Sequence, residues 1–210
     1  MREPALDEQY SSWERREHAL RLGMWVFLAS EITLFAGVFT LYSAYRAMYP
    51  VEFAEAAHHN TIFFGSANTL ILITSSFTVA LTIHAAREAR YRLLTTLLFV
   101  TAAFGVAFLV LKGIEYAKHY HEGLLPGIYY HSAEMPAYGH KMFWTLYWFA
   151  TGLHALHVTA GLTVLVWMGV RSIDHIYTPE HHTYLEMGTL YWHLVDIMWI
   201  FLWPLLYLTH

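Results

Sequence analysis

The chemistry in this sequence is carried by ionisable side chains set inside long apolar stretches. Glu31 stands in one such stretch, and His154 and His157 stand one helical turn apart in another. His193 and Asp196 repeat the i, i+3 spacing in a third, which places both on one helix face. Glu115, with Lys112 one turn earlier, closes a fourth. An ionisable group in hydrocarbon costs about 2.5–3.5 kcal/mol on insertion scales, so each needs a partner or a task. Two chemistries suit these residue types. His-x-x-His, His-x-x-Asp and Glu supply nitrogen and oxygen ligands for a metal or haem iron. The same groups also serve as hydrogen-bonding links between helices, with Asp196 or Glu31 neutral or paired with histidine. The second reading is the stronger. Di-iron bundles use Glu-x-x-His pairs, and neither histidine-bearing stretch has one. Glu31 divides between an internal structural acid and a proton site, and no ladder of acids leads from it across a bilayer.

The elements that must position these groups follow from the hydropathy pattern. Of 210 residues, 57% are hydrophobic and only 13% charged, against about 25% charged in a soluble domain. That leaves too little polar surface to cover a globule in water. A membrane crossing takes about 20 apolar residues, and five stretches qualify, at about 23–45, 61–86, 93–115, 142–170 and 187–208. The third is apolar from Leu93 to Leu111 before it meets Lys112 and Glu115. The expected fold is all-α, an integral membrane bundle of five transmembrane helices in simple up-and-down order. Residues 1–22 are too charged for a signal peptide and are expected as a cytoplasmic segment forming a short amphipathic helix on the membrane surface.

Lys and Arg set the orientation. One face is expected to carry Arg2, Arg15, Arg16, Arg21, Arg87, Arg90, Arg92 and Arg171; the other carries Arg46, Lys118 and Lys141, with Lys112 just inside the membrane. The N-terminus is therefore placed in the cytoplasm and His210 outside. Trp25, Trp144, Trp167 and Trp203 lie near span ends as interfacial aromatics would. Asn68, Thr69, Thr74, Ser75, Ser76 and Thr78 make the second span polar without charge and read as interhelical glue; Gly152 and Gly161 read as points of close backbone approach. His119, His121, His131 and His140, with Glu122 and Glu134, are assigned to solvated outer connections. Asp174, His175, Glu180, His181, His182 and Glu186 are assigned to an inner one. Such groups also suit the collection of protons at a surface. Absence of cysteine excludes disulfides, iron–sulfur clusters and thiolate metal sites, and no basic run suggests nucleic acid.

Several of these residues fall into a longer pattern. The fifth span reads Tyr191-Trp192-His193-Leu194-Val195-Asp196-Ile197-Met198-Trp199 after Leu185-Glu186-Met187-Gly188. The fourth contains Gly152-Leu153-His154-Ala155-Leu156-His157-Val158 and Gly161. Ser30-Glu31 precedes Phe35-Ala36-Gly37, Asn68-Thr69 precedes Ser75-Ser76, and Glu115-Tyr116 ends the third span. Five motifs in this order, from about Arg21 onward, resemble subunit III of the haem–copper oxidases in its five-helix bacterial form, without the two leading helices of longer members. Lys112 stands where longer members often have Gln.

The resemblance implies a supporting subunit with no haem or copper of its own, in a bacterial inner membrane. It would sit beside the haem-bearing subunit I and subunit II of a proton-pumping terminal oxidase, most readily one using cytochrome c. It also implies bound phospholipid, protection of the enzyme during turnover and help with proton uptake. Glu31 would be the family's buried acid, and His154, His157, His193 and Asp196 would be packing and hydrogen-bonding residues. Quinol oxidases and nitric oxide reductases have similar subunits, and no residue here sees the electron donor. From other classes, a free-standing membrane metalloenzyme would bind metal through the buried histidines. A small transporter would carry protons through Glu31.

Overall fold

The computed structural model describes residues 13–179 and 182–208, and over these the chain is a bundle of helices. Six are α-helical: α1 (Trp13–Met48), α2 (Pro50–His59), α3 (Ile62–Arg87), α4 (Tyr91–His121), α5 (Tyr138–Ser172) and α6 (Thr183–Tyr207). All but α2 are long and apolar enough to cross a membrane. The shortest of the five, α6 with 25 residues, rises about 37 Å, which exceeds a hydrocarbon core of about 30 Å. The polar ends of these helices therefore reach beyond the apolar layer. From Trp13 the backbone is helical without a break to Met48, so residues 13–22 are the opening turns of the first spanning helix and not a separate surface helix. Residues 1–12, Glu180, His181 and His210 lie outside the described residues.

Local chemistry explains the breaks. Pro50 lacks the N–H that would continue α1 and disfavours helical backbone at Tyr49, so α1 stops at Met48 and Pro50 opens α2 as its first residue. Asn60 and Thr61 are extended, and the Asn60 amide donates to the carbonyl of Leu206 at 2.9 Å, fixing this elbow on the end of α6. α4 ends at His121, and Gly123 two residues on takes a φ of +70°, which suits a residue without Cβ. At the end of α3 the same left-handed position falls to Ala89, with φ +54°. The connection from α4 to α5 folds over the bundle end: Leu124 is fully buried, its carbonyl accepts from the Trp148 indole at 2.9 Å, and the Tyr130 hydroxyl donates to the Met135 carbonyl at 2.6 Å.

Helices α3, α4, α5 and α6 close a ring, each packed on the next, with α6 returning to α3. α1 lies against α5 and α6, and α2 packs on α5. Trp192 shows how tightly the ring closes. Its indole is fully buried, and a Cβ placed on either Gly105 of α4 or Gly161 of α5 would come within 2.8 Å of it. Gly161 therefore serves close packing as its spacing suggests. Gly152 does not; a Cβ there would meet only the Tyr116 hydroxyl, at 4.0 Å. Trp25 and Trp167 stay exposed, Trp167 near the end of α5 but Trp25 well inside α1, whereas Trp144 is fully buried among Phe143, Tyr147 and His119. Trp144 belongs to the core and not to an interfacial belt.

Outward faces carry Leu22, Trp25, Val26, Leu70, Phe77, Val110, Leu156 and Ile200 in the open. A soluble protein rarely exposes so much contiguous apolar surface; a bilayer would cover it. The protein is a multi-pass membrane protein.

Candidate functional site

The ionisable groups at membrane depth do not meet in one place. They divide among separate helix contacts. Glu31 of α1 faces His157 of α5, with 2.7 Å between a carboxyl oxygen and Nε2. His157 Nδ1 lies 2.8 Å from the Leu153 carbonyl. A carbonyl only accepts, so Nδ1 carries a hydrogen and the Glu31–His157 contact holds one shared proton, on the ring or on the acid. In either arrangement the pair is neutral overall. The edge of Phe35 closes on the ring at 5.3 Å between centroids, and the Tyr191 hydroxyl donates to the His157 carbonyl at 3.2 Å. Both side chains of the pair keep partial exposure, 16% for Glu31 and 12% for His157, on the outer side of the ring.

His154, one turn earlier, points elsewhere. It is fully buried inside the ring, between Phe108 at 5.5 Å and Trp199 at 5.1 Å, and neither ring nitrogen has a hydrogen-bond partner. The i, i+3 histidines thus serve different interfaces. A step of three residues leaves two side chains about 60° apart around the helix, enough for one to point into the ring and the next to meet α1 at its rim.

His193 and Asp196 both face α3. The Ser76 hydroxyl lies 2.6 Å from His193 Nδ1, and the Ser75 hydroxyl lies 3.5 Å from an Asp196 oxygen. Ser75 has one hydrogen to give, and the Leu72 carbonyl at 2.8 Å is the nearer acceptor. It also accepts from the Trp192 indole at 3.0 Å. Thr69 accepts from the Trp199 indole at 3.1 Å, and Thr78 meets Thr101 at 2.8 Å. These hydroxyls link α3 to α6 and α4, which is the interhelical role their spacing suggested; Thr74 instead bonds back to the Leu70 carbonyl of its own helix.

Glu115 sits in the most saturated cluster. Lys112 donates to Glu115 at 2.8 Å, to the Tyr147 hydroxyl at 3.0 Å and to the Tyr207 hydroxyl at 2.7 Å. These are the three hydrogens of one ammonium. Tyr207 passes its own hydrogen to the other oxygen of Glu115. Lys112 and Glu115 are 2% and 1% exposed. The i, i+3 spacing of the pair is visible in the sequence. Its partners are not, because Tyr147 and Tyr207 arrive from α5 and α6 and neither differs in pattern from the other tyrosines.

The loop histidines also need redrawing. His119 and His140 lie within α4 and α5 and are buried, His119 against Trp144 and Tyr147, and His140 bonded to Glu55 of α2 at 3.0 Å. They are packing residues of the far end of the bundle. His121 and His131 stay exposed, as do Asp174 and His175. At the near end Glu186 gathers Arg21 of α1 and Arg87 of α3, each at 3.6 Å, and His182 at 3.2 Å. Arg16 donates to the Tyr184 hydroxyl at 2.8 Å. These contacts place the opening turns of α1, the end of α3 and the start of α6 on one face.

Among the described residues, no group of three or more His, Cys, Asp or Glu is placed to hold a metal ion. Fold and interior together define a class: a polytopic helical membrane protein whose buried carboxylates and imidazoles mostly bond to other side chains across helix contacts.

Known proteins narrow that class. The family model for cytochrome c oxidase subunit III matches residues 10–209. A probable cytochrome c oxidase subunit 3 of Nocardia farcinica is 30% identical over 192 residues, covering 91% of this chain and 89% of that protein. The cytochrome c oxidase subunit 3 of Synechocystis is 32% identical over 211 residues, covering 97% and 83%. That of Anopheles gambiae is 30% identical over 195 residues, covering 90% and 68%. The chain belongs to the cytochrome c oxidase subunit III family.

Proposed function

We propose that the chain is the non-catalytic subunit III of a proton-pumping haem–copper terminal oxidase, most readily a cytochrome c oxidase of aerobic respiration. The observation that carries this reading is the family match over residues 10–209, joined to an interior whose described acids and imidazoles are distributed among separate helix contacts. The haem and copper belong to the partners, subunits I and II. The chain sits beside them in a bacterial plasma membrane, with the Arg-rich start of α1 in the cytoplasm and the end of α6 outside, as the distribution of Lys and Arg supports. Its contribution is to stabilise the complex, to hold phospholipid against its apolar outer faces, and to support proton uptake at the cytoplasmic surface.

The test is extraction in a mild detergent. The chain should leave the membrane with a larger partner whose spectrum shows haem, and the chain separated from that partner should show none. Stoichiometric iron or copper on the separated chain would overturn the reading in favour of a metalloenzyme. Proton flux through liposomes containing this chain alone would overturn it in favour of a transporter. The spectrum and electron donor of the extracted complex distinguish cytochrome c, quinol and nitric oxide partners.

A further inference from the structure

The Lys112 ammonium is held by more than a salt bridge. Besides its three hydrogen-bond acceptors, it lies 4.9 Å from the ring centroid of Tyr147, 5.0 Å from Trp199, 5.4 Å from Tyr207 and 5.5 Å from Tyr116. Tyr147 and Tyr207 meet it through their hydroxyls, while Trp199 and Tyr116 stand within the ~6 Å over which a ring attracts a cation. One carboxylate, two phenol oxygens and the rings of Tyr116 and Trp199 thus surround a single positive charge. Glu115 and Tyr116 come from α4, Tyr147 from α5, and Trp199 and Tyr207 from α6. The charged pair is local to α4, and the groups from α5 and α6 come to it.

We propose that this surround is a cation site filled from within by Lys112, and that a positive charge in it, not the lysine stem, holds the last turn of α6 against α4 and α5. The chemical class of its ligand is a primary ammonium ion with a short apolar tail. Three hydrogens answer the three oxygen acceptors, and the tail lies along the buried helix surface. The inference stands apart from the oxidase reading, since it concerns only how three helices of this chain are joined.

Lys112→Ala removes the ammonium and the three carbons that carry it, leaving a space of the shape of n-propylammonium. The measurement is the temperature at which the full chain in a mild-detergent extract aggregates, read by immunoblot of the soluble fraction. Lys112→Ala should lower it by about 10 °C, as expected when one member of a buried charge pair is removed. Excess n-propylammonium chloride, present from extraction onward, should restore at least half of the loss. n-Propanol, which has the same tail without the charge, should not. Equal recovery in the alcohol, no recovery in the amine, or an unshifted Lys112→Ala protein would each overturn the proposal.

Should Lys112→Ala fail to accumulate, two further variants decide. Lys112→Met, which keeps an apolar stem without the charge, should be depleted from membranes, and Lys112→Arg, which keeps a positive charge on a different stem, should accumulate. Equal accumulation of the two, at any level, would overturn it.

Discussion

Two carboxylates in this bundle meet a nitrogen base at nearly the same distance, in opposite surroundings. Glu115 and Lys112 are sealed among α4, α5 and α6, with every ammonium hydrogen engaged and the rings of Tyr116 and Trp199 beside it. Glu31 and His157 join α1 to the outside of the ring and keep part of their surface open. The first pair has partners for each hydrogen and little room to change. The second is a single contact between two side chains that keep part of their surface open, where lipid or a neighbouring subunit can reach it. Saturation, more than the chemical types involved, separates a structural ion pair from a site that can exchange.

The largest effect that would break this contrast is at Glu115. Glu115→Leu leaves Lys112 charged and without its carboxylate, and a stranded buried charge costs about 3–5 kcal/mol. The chain should be depleted from membranes, as read by immunoblot against a co-expressed control. Normal accumulation would remove the distinction between the two pairs.

A smaller effect is expected at Glu31. Glu31→Ala removes one contact between partly exposed side chains, so the cost is of the order of one interhelical hydrogen bond, about 0.6 kcal/mol. The chain should accumulate, and the oxidase containing it should begin at near-normal oxygen consumption and lose activity in fewer turnovers. Immediate loss of activity in a fully assembled complex would make Glu31 part of the catalytic path and contradict the supporting role. Glu31→Gln, which keeps a hydrogen-bonding group but not the acid, sharpens the test. If the early failure comes from the lost acid and not from a looser α1, Gln should resemble Ala.

The smallest effect belongs to Arg21→Ala. This residue reaches Glu186 from α1 at 3.6 Å and is about half exposed, so the pair contributes about 0–1 kcal/mol and weakens with salt. Thermal loss of the chain should shift little, and the shift should vanish in high salt. A large, salt-independent shift would mean that α1 is held mainly at the membrane face and not at Glu31.

Apolar stretches made the spanning helices legible, because length and low charge are properties of a single segment. The helix ends were less so: α4 and α5 continue past their apolar runs to His121 and Ser172, since helical hydrogen bonds do not stop where hydrocarbon does. Helix α2 escaped notice because ten residues with Glu52 and Glu55 give no hydropathy peak; it is stable by burying Phe53, Ala56 and Ala57. Glu31, His154, His157, His193 and Asp196 were visible as costly residues. Their pairing was not, because the i, i+3 rule reports neighbours on one helix and is silent about which helix each face meets. His154 and His157 show the limit: one turn apart in sequence, they serve different contacts. Trp144 and His119 were misplaced for a related reason, since a residue near a span end can turn inward as readily as toward the interface.

The closing turn of α6 gathers an unusual number of distant obligations. The Leu205 and Leu206 carbonyls accept from Tyr42 of α1 and Asn60 of the α2–α3 elbow, and Tyr207 serves Lys112 and Glu115 of α4. α6 is the last of these helices to leave the ribosome. Polar groups in the earlier helices must therefore wait, inside or beside the translocation machinery, until three late residues arrive to satisfy them. An altered final turn would therefore leave polar groups of α1, of the α2–α3 elbow and of α4 without these partners at one stroke.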